Sequence, residues 1–347
     1  MIDEISLYHG NGGEGTKEII NEILNKLDNE ILNKLGDSAI LNLKDNLAFT
    51  TDSFVVSPQF FNGGDIGRLS VYGSVNDLVV CGARPLFLSL SFIIEEGFPF
   101  SDFKKILESI KQASDECNIK VVTGDTKVVE KGKGDKIFIN TSGIGIIENE
   151  NRNLSNRKIE KGDLIIINGG IGEHGTAIML ERLGIGSYEN VKSDLAPLDK
   201  LVLPLLDKFK GVKFLRDPTR GGIATVLNEI SEKFNFDIEI FENEIPIKNW
   251  VKEASNILGI DPLYIANEGK VLMVVDKNEK DEILNFLNKS DLGMDAKVIG
   301  EVLGQGKRVY LRTEIGTRRI VDTLKKDILP RICWFIDKQY NLYLFMF

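Results

Sequence analysis

The run GGDIGRLSVYGSVNDLVVCGA (63–83) constrains this chain more than any other segment. Its apolar residues recur every three to four positions, which predicts a glycine-rich helix buried in a core. Asn76 and Asp77 interrupt that pattern. A carboxylate in such a helix must be paired, ligated or neutralised.

Elsewhere the chain alternates strand and helix signals. Strands are predicted over 35–43, 47–53, 86–94, 119–126 and 136–147. An amphipathic helix is predicted over 101–117, with Ser101 as its N-cap. The polar stretch 148–163 suits a domain junction. A second half follows, with strands near 163–170, 236–241, 270–275 and 297–303 and helices near 174–184, 221–234 and 279–288. The chain has 347 residues. At about 150 residues per domain that is roughly two domains, with room for a large core.

Composition excludes several classes. Hydrophobic residues make up 42% and charged residues 27%, as in a soluble globular protein and unlike disordered, collagenous or mucin-like sequence. The net charge of -9 leaves no basic footprint for nucleic acid and no attraction to an anionic membrane. Acids bind a nucleotide when a divalent cation bridges them to its phosphates. The three cysteines, Cys81, Cys117 and Cys333, are too few for a disulfide framework and point to a reducing cytoplasm. The opening MIDEISLYHG carries acids where a secretory signal needs bases. No apolar run nears the roughly 18 residues of a membrane span.

Four acids stand at strand ends or on the buried helix: Asp37, Asp52, Asp77 and Asp125. They read either as turn formers or as converging ligands for magnesium and phosphate. The glycine-rich loop at 10–15, with Gly12 and Gly13, is either a flap over phosphates or a flexible N-terminal segment. RDPTRGG (216–222) places Asp217 and Arg220 before a helix start, an arrangement suited to anions. His174 in GEHG and Glu268 in NEGK are each read as a possible base or as a structural residue.

These motifs, with VTGDTKVV (122–129), FINTSGIG (138–145) and LPRIC (329–333), run in order over residues 9–333. Together they resemble the HypE family of hydrogenase maturation factors. That family lies in the superfamily of aminoimidazole-ribonucleotide synthetase, selenophosphate synthetase and thiamine-monophosphate kinase. The resemblance implies a two-domain α/β (α+β) synthetase-like fold. Residues 1–150 would form the ATP- and metal-binding domain, pairing with a second copy through a β-barrel-like homodimer interface. Residues 151–320 would form the C-terminal α/β domain, and 321–347 a tail carrying Cys333. The implied reaction is ATP-dependent dehydration of a carboxamide on Cys333 to a thiocyanate, the source of cyanide for [NiFe] hydrogenase iron. The implied partners are the carbamoyltransferase HypF and a HypC–HypD scaffold.

The resemblance also assigns residues. Asp37, Asp52, Asp77 and Asp125 would bind magnesium (Mg2+) and phosphate, with help from Thr126. Lys127 would neutralise developing charge, and Asp217 and Arg220 would bind ATP. Glu268, His174 and Lys127 are candidates for removing the amide protons. Cys81 and Cys117 read as structural. One departure stands out: family chains end at the cysteine, whereas fourteen residues follow it here, six of them aromatic. Read-through or a frameshift in the coding sequence, clipping, and docking that inactivates the protein are three readings of that extension. Three rival functions remain: a small-molecule kinase or synthetase of the same superfamily, a non-catalytic nucleotide-binding scaffold, and a Rossmann oxidoreductase.

Overall fold

The computed structural model describes residues 4–10, 14–34, 46–184 and 190–323. Gly12, Gly13, Asp37, Cys333 and the strand expected over 35–43 lie outside them.

The first half comprises α1 (Glu14–Leu27), β1 (Asn46–Phe54), a two-stranded ribbon β2 (Phe60–Phe61) and β3 (Gly64–Asp65), α2 (Ile66–Val80), β4 (Arg84–Glu95), α3 (Phe100–Glu116), β5 (Lys120–Val129) and β6 (Ile137–Ile147). Its main sheet has the order β1-β6-β4-β5. Only the β4–β5 pair in it is parallel. α2 is the helix expected from the apolar run. It starts where Asp65 Oδ1 accepts the backbone N–H groups of Gly67 and Arg68 at 2.8 and 3.1 Å, a cap worth about 1 kcal/mol. The helix lies hard against β1, because a Cβ at Gly73 would come within 2.7 Å of the Phe54 ring. α3 departs from expectation at its start. Pro99, whose ring fixes φ, takes the N-cap position, and Ser101 falls inside the helix.

The second half comprises β7 (Leu164–Ile167), α4 (Glu173–Arg182), α5 (Asp199–Lys208), β8 (Val212–Arg216), α6 (Gly222–Phe234), β9 (Phe236–Phe241), α7 (Asn249–Leu258), β10 (Leu272–Val275), α8 (Lys280–Leu287), β11 (Lys297–Gln305), β12 (Val309–Arg312) and β13 (Arg318–Ile320). Seven strands form one sheet in the order β13-β12-β9-β11-β7-β10-β8. Its pairs are antiparallel except β9–β12. This is no doubly wound parallel sheet, and the Rossmann alternative falls with it.

The central strands are covered on both faces, so their sequences are unbroken apolar runs. Ile165, Ile167, Leu272 and Val274 pack with Ile223 and Leu227 of α6. Ile166, Met273 and Val275 belong instead to a core that also holds Leu201 and Leu205 of α5 and Leu69 and Val79 of α2. One apolar core therefore spans both sheets. Each of these fully buried side chains contributes about 1.5–3 kcal/mol. The polar junction is pinned as well. Arg152 bonds Asp207 through two nitrogens, at 2.7 and 2.6 Å, and Glu148 at 2.6 Å. α5, α7, β8 and the β12–β13 hairpin carried no clear sequence signal. Pro204 inside α5 interrupts its helical pattern.

Candidate active site

A cavity of about 1070 Å³ lies between the two halves. Four of the expected acids line it: Asp52 from β1, Asp77 from α2, Asp217 from the loop after β8, and Glu268 from the loop before β10. Arg216 and Arg220 line it as well.

Each acid is held by its local backbone. Asp52 points towards α2, its Oδ2 lying 3.8 Å from where a Gly73 Cβ would sit, and its Oδ1 accepts the Ser53 N–H at 2.7 Å. Asp77 accepts the Thr50 hydroxyl at 2.6 Å. The Asp217 loop and the Glu268 loop are tied together, because Asn267 donates both its backbone N–H and its side-chain amide to Pro218 O, at 3.1 and 2.9 Å. The right residue types thus converge from chain positions more than two hundred residues apart.

Electrostatics single out the same acids. Burial raises the carboxyl pKa of Asp52, and the charge of Asp77 raises it further while Arg220 opposes. Burial likewise raises Asp77. Asp217 is pushed up to about 7, by burial first and by Asp77 next. Glu268 is raised well above the usual range by burial, then by Asp194, Asp217, Asp52 and Asp77. Like charges held this close resist joint ionisation. A cation and a phosphorylated ligand would complement them, and raised acids in a cleft are a mark of function.

Other expected residues lie elsewhere. Asp125, Thr126 and Lys127 sit on β5, at the opposite edge of the sheet from β1. Asp125 is exposed and bonded to Lys127 Nζ at 2.8 Å, which lowers its pKa. None of the three lines the cavity. Nor does His174, which is fully buried in the first turn of α4. Its Nδ1 pairs with Ser193 Oγ at 2.8 Å, and its ring meets the edge of Phe61. Burial depresses its pKa to about 4, so it stays neutral. Of the other cysteines, Cys117 is buried as expected, while Cys81 is exposed and lines the cavity at the end of α2. Desolvation by the surrounding cavity wall, with Asp77 nearby, raises the Cys81 thiol pKa.

Among the described residues, no group of three His, Cys, Asp or Glu side chains closes into a metal site by itself. Sequence reasoning passed over Thr50, Arg216 and Asp194. It also read Asn76 only as the polar neighbour of Asp77. Asn76 carried a usable signal, a polar side chain in an apolar helix; Asp194, in a polar stretch, carried none.

The chain matches the N-terminal domain model of AIR synthase related proteins over residues 35–147 and the C-terminal domain model over 160–312. It is 43% identical over 333 residues to the carbamoyl dehydratase HypE of Cupriavidus necator, covering 95% of each chain. A crystal structure of the hydrogenase maturation protein HypE in complex with ATP superposes with a TM-score of 0.90 at 39% identity, covering 94% of this chain and 99% of that one. A chain of a HypE–HypF complex structure superposes with a TM-score of 0.77 at 46% identity, over 90% of this chain and all of that one. With both of its halves matched and this identity held over nearly its whole length, the chain belongs to the HypE family of carbamoyl dehydratases of hydrogenase maturation, within the AIR synthase related proteins.

Proposed function

We propose that this chain uses ATP to dehydrate a carboxamide carried on Cys333. The carrying observation is the cavity in which Asp52, Asp77, Asp217 and Glu268 converge from both halves. ATP is the proposed nucleotide because a relative was solved in complex with it.

An amide oxygen is a poor leaving group, and phosphorylation makes it a good one. In the first step the amide oxygen attacks the γ-phosphorus, the bond to ADP breaks, and nitrogen gives up one proton, leaving an S-bound imidoyl phosphate. In the second, nitrogen gives up its other proton, its electron pair forms the third C–N bond, and the C–O bond breaks to release phosphate. The sum is thiocarbamate plus ATP to thiocyanate, ADP and phosphate. Glu268 is the proposed proton acceptor. It lines the cavity, and the burial and neighbouring acids that raise its pKa make its carboxylate a stronger proton acceptor. Arg220, beside Asp217, is the proposed phosphate partner.

Asp52 and Asp77 would hold Mg2+. Two carboxylates with phosphate oxygens are the usual protein share of such a site, and these two have no lysine or arginine bonded to them among the described residues. When bound, the ion supplies charge neutralisation at the phosphates. Asp125 and Lys127 reach a site only through a second copy. The face of the first sheet that carries them also exposes Leu47, Phe49 and Ile93, with Phe49 70% exposed. That apolar face supports the homodimer. HypF is the proposed loading partner, since a relative was solved in a complex bearing its name. The HypC–HypD scaffold is the proposed acceptor of the cyanide, and the cytoplasm the proposed compartment. No described helix is long and apolar enough to cross a membrane.

Mass spectrometry of the C-terminal peptide, after incubation with the loading partner, carbamoyl phosphate and ATP, tests the proposal. A carboxamide gained at Cys333 and then dehydrated supports it. ATP turnover with Cys333 unlabelled would instead indicate a diffusible substrate, and a loaded cysteine without turnover a scaffold.

A further inference from the structure

Asn76 is 2% exposed within α2, yet the hydrogen bonds described for its side chain all leave the helix for the other half of the chain. Its Nδ2 donates to Ala196 O at 3.1 Å and to Glu268 O at 3.2 Å, and its Oδ1 accepts Leu198 N–H at 2.8 Å. Two carbonyls on one side and an N–H on the other fix which way the amide points. Asp194 grips the same loop from its other side. Its Oδ1 accepts the Glu268 N–H at 3.2 Å and its Oδ2 the Gly269 N–H at 3.3 Å, while Lys270 Nζ stands 3.3 Å from Oδ2. Gly269 is required there, since a Cβ would lie 1.9 Å from Asp194 O. The peptide of Glu268 is therefore held at both its C=O and its N–H. The next residue on α2 after the Asn76 clamp is Asp77, which lines the cavity.

We propose that Asn76 is a positioning residue for proton removal: it fixes the backbone of Glu268 relative to Asp77, with Asp194 as the opposing half of the clamp. The inference rests on the reading of Glu268 as the proton acceptor. An apolar side chain at 76 would bury the helix equally well, so fixing this loop is the property that the amide adds. Reacting groups tolerate little misplacement, so losing the clamp slows the chemical step more than it weakens nucleotide binding.

The test uses the full-length chain, loaded by its carbamoyl-transferring partner, with thiocyanate formation and phosphate release followed together. Asn76→Ala is expected to lower kcat by roughly 10- to 100-fold while the KM for ATP changes by less than about threefold. In a Glu268→Gln background the same substitution is expected to add less than about threefold, because both act through one group. Equal penalties in the two backgrounds, or a loss confined to KM, overturn the proposal. Full turnover by Glu268→Gln overturns the underlying reading and this inference with it. An impaired Glu268→Gln beside an unimpaired Asn76→Ala overturns this inference alone. Asp194→Asn, which trades one acceptor for a donor at constant size, gives the same kcat-selective loss if Asn76→Ala does not fold. A normal kcat in that variant counts against the clamp.

Discussion

Asp52 and Asp125 leave the same four-stranded sheet from opposite edges and opposite faces. Asp52 neighbours Thr141, whose hydroxyl meets Ser74 of α2 at 2.6 Å on the covered face. Asp125 neighbours Ser91, one residue along β4 from the buried Leu90 and hence on the open face. The two carboxylates cannot share an ion within one chain. If both serve the reaction, they do so in sites completed by a second copy.

Mixed dimers test that directly. Asp52→Asn and Asp125→Asn chains should each be inactive alone. Refolded together at equal amounts they should regain about a quarter of parental turnover, because half of the dimers then hold one intact composite site of two. No recovery on mixing would place both acids in one chain's site, and an Asp125→Asn chain active by itself would remove Asp125 from the chemistry.

Asp77→Asn should abolish ATP-dependent dehydration, with a loss of at least about 100-fold, while the ligand-free protein melts no lower than the parent. Burial already disfavours the charge that the substitution removes, and the amide oxygen still accepts from Thr50. Normal ATP hydrolysis by Asp77→Asn would end its assignment to the metal.

Asp217 should make the ligand-free protein less stable as pH rises. Its folded pKa of about 7 exceeds its ordinary 3.8. Between those values the folded state holds more protons than the unfolded state, so stability falls with rising pH and levels off above about 7. Asp217→Asn should remove this component, on the order of 3 kcal/mol between pH 4 and 7. Denaturant titrations of both proteins across that range measure it, and parallel curves would contradict the assignment.

His174→Ala should act on folding alone. The ring is fully buried and bonded to Ser193, so its loss should cost about 2–4 kcal/mol. Turnover per folded molecule should stay within about twofold. A variant that folds fully but turns over slowly would return His174 to the list of bases.

Truncation after Cys333 should raise the rate of thiocyanate formation. In the proposed reaction the thiol must enter a confined cavity, and the fourteen following residues would have to enter or fold back with it. Equal rates for both lengths, measured with the loading partner present, would show no obstruction.

The site was legible where it depended on residue type in a local frame. Asp77 showed itself as a charge in an apolar helix, and Asp217, Arg220 and Glu268 as polar residues beside glycine turns. What stayed hidden depended on alternation and on distance. Period two along a strand sends Asp52 to the covered face, but no local signal says which face α2 will cover. His174 looked like chemistry because its motif sits in a glycine loop, whereas packing against Phe61 makes it core. Asp194 could not be seen at all, since its function comes from a loop 74 residues away. β8 was missed because Lys213 and Arg216 break the apolar run that marks the equally short β7 and β10.

The core shared by α2, α5 and the second sheet has a mechanical consequence. Parting the two halves would expose Leu69, Val79, Leu201 and Leu205 to water together, at a cost on the order of several kcal/mol. The joined arrangement is therefore the heavily populated one, and any parting of the halves is a brief excursion against that apolar cost.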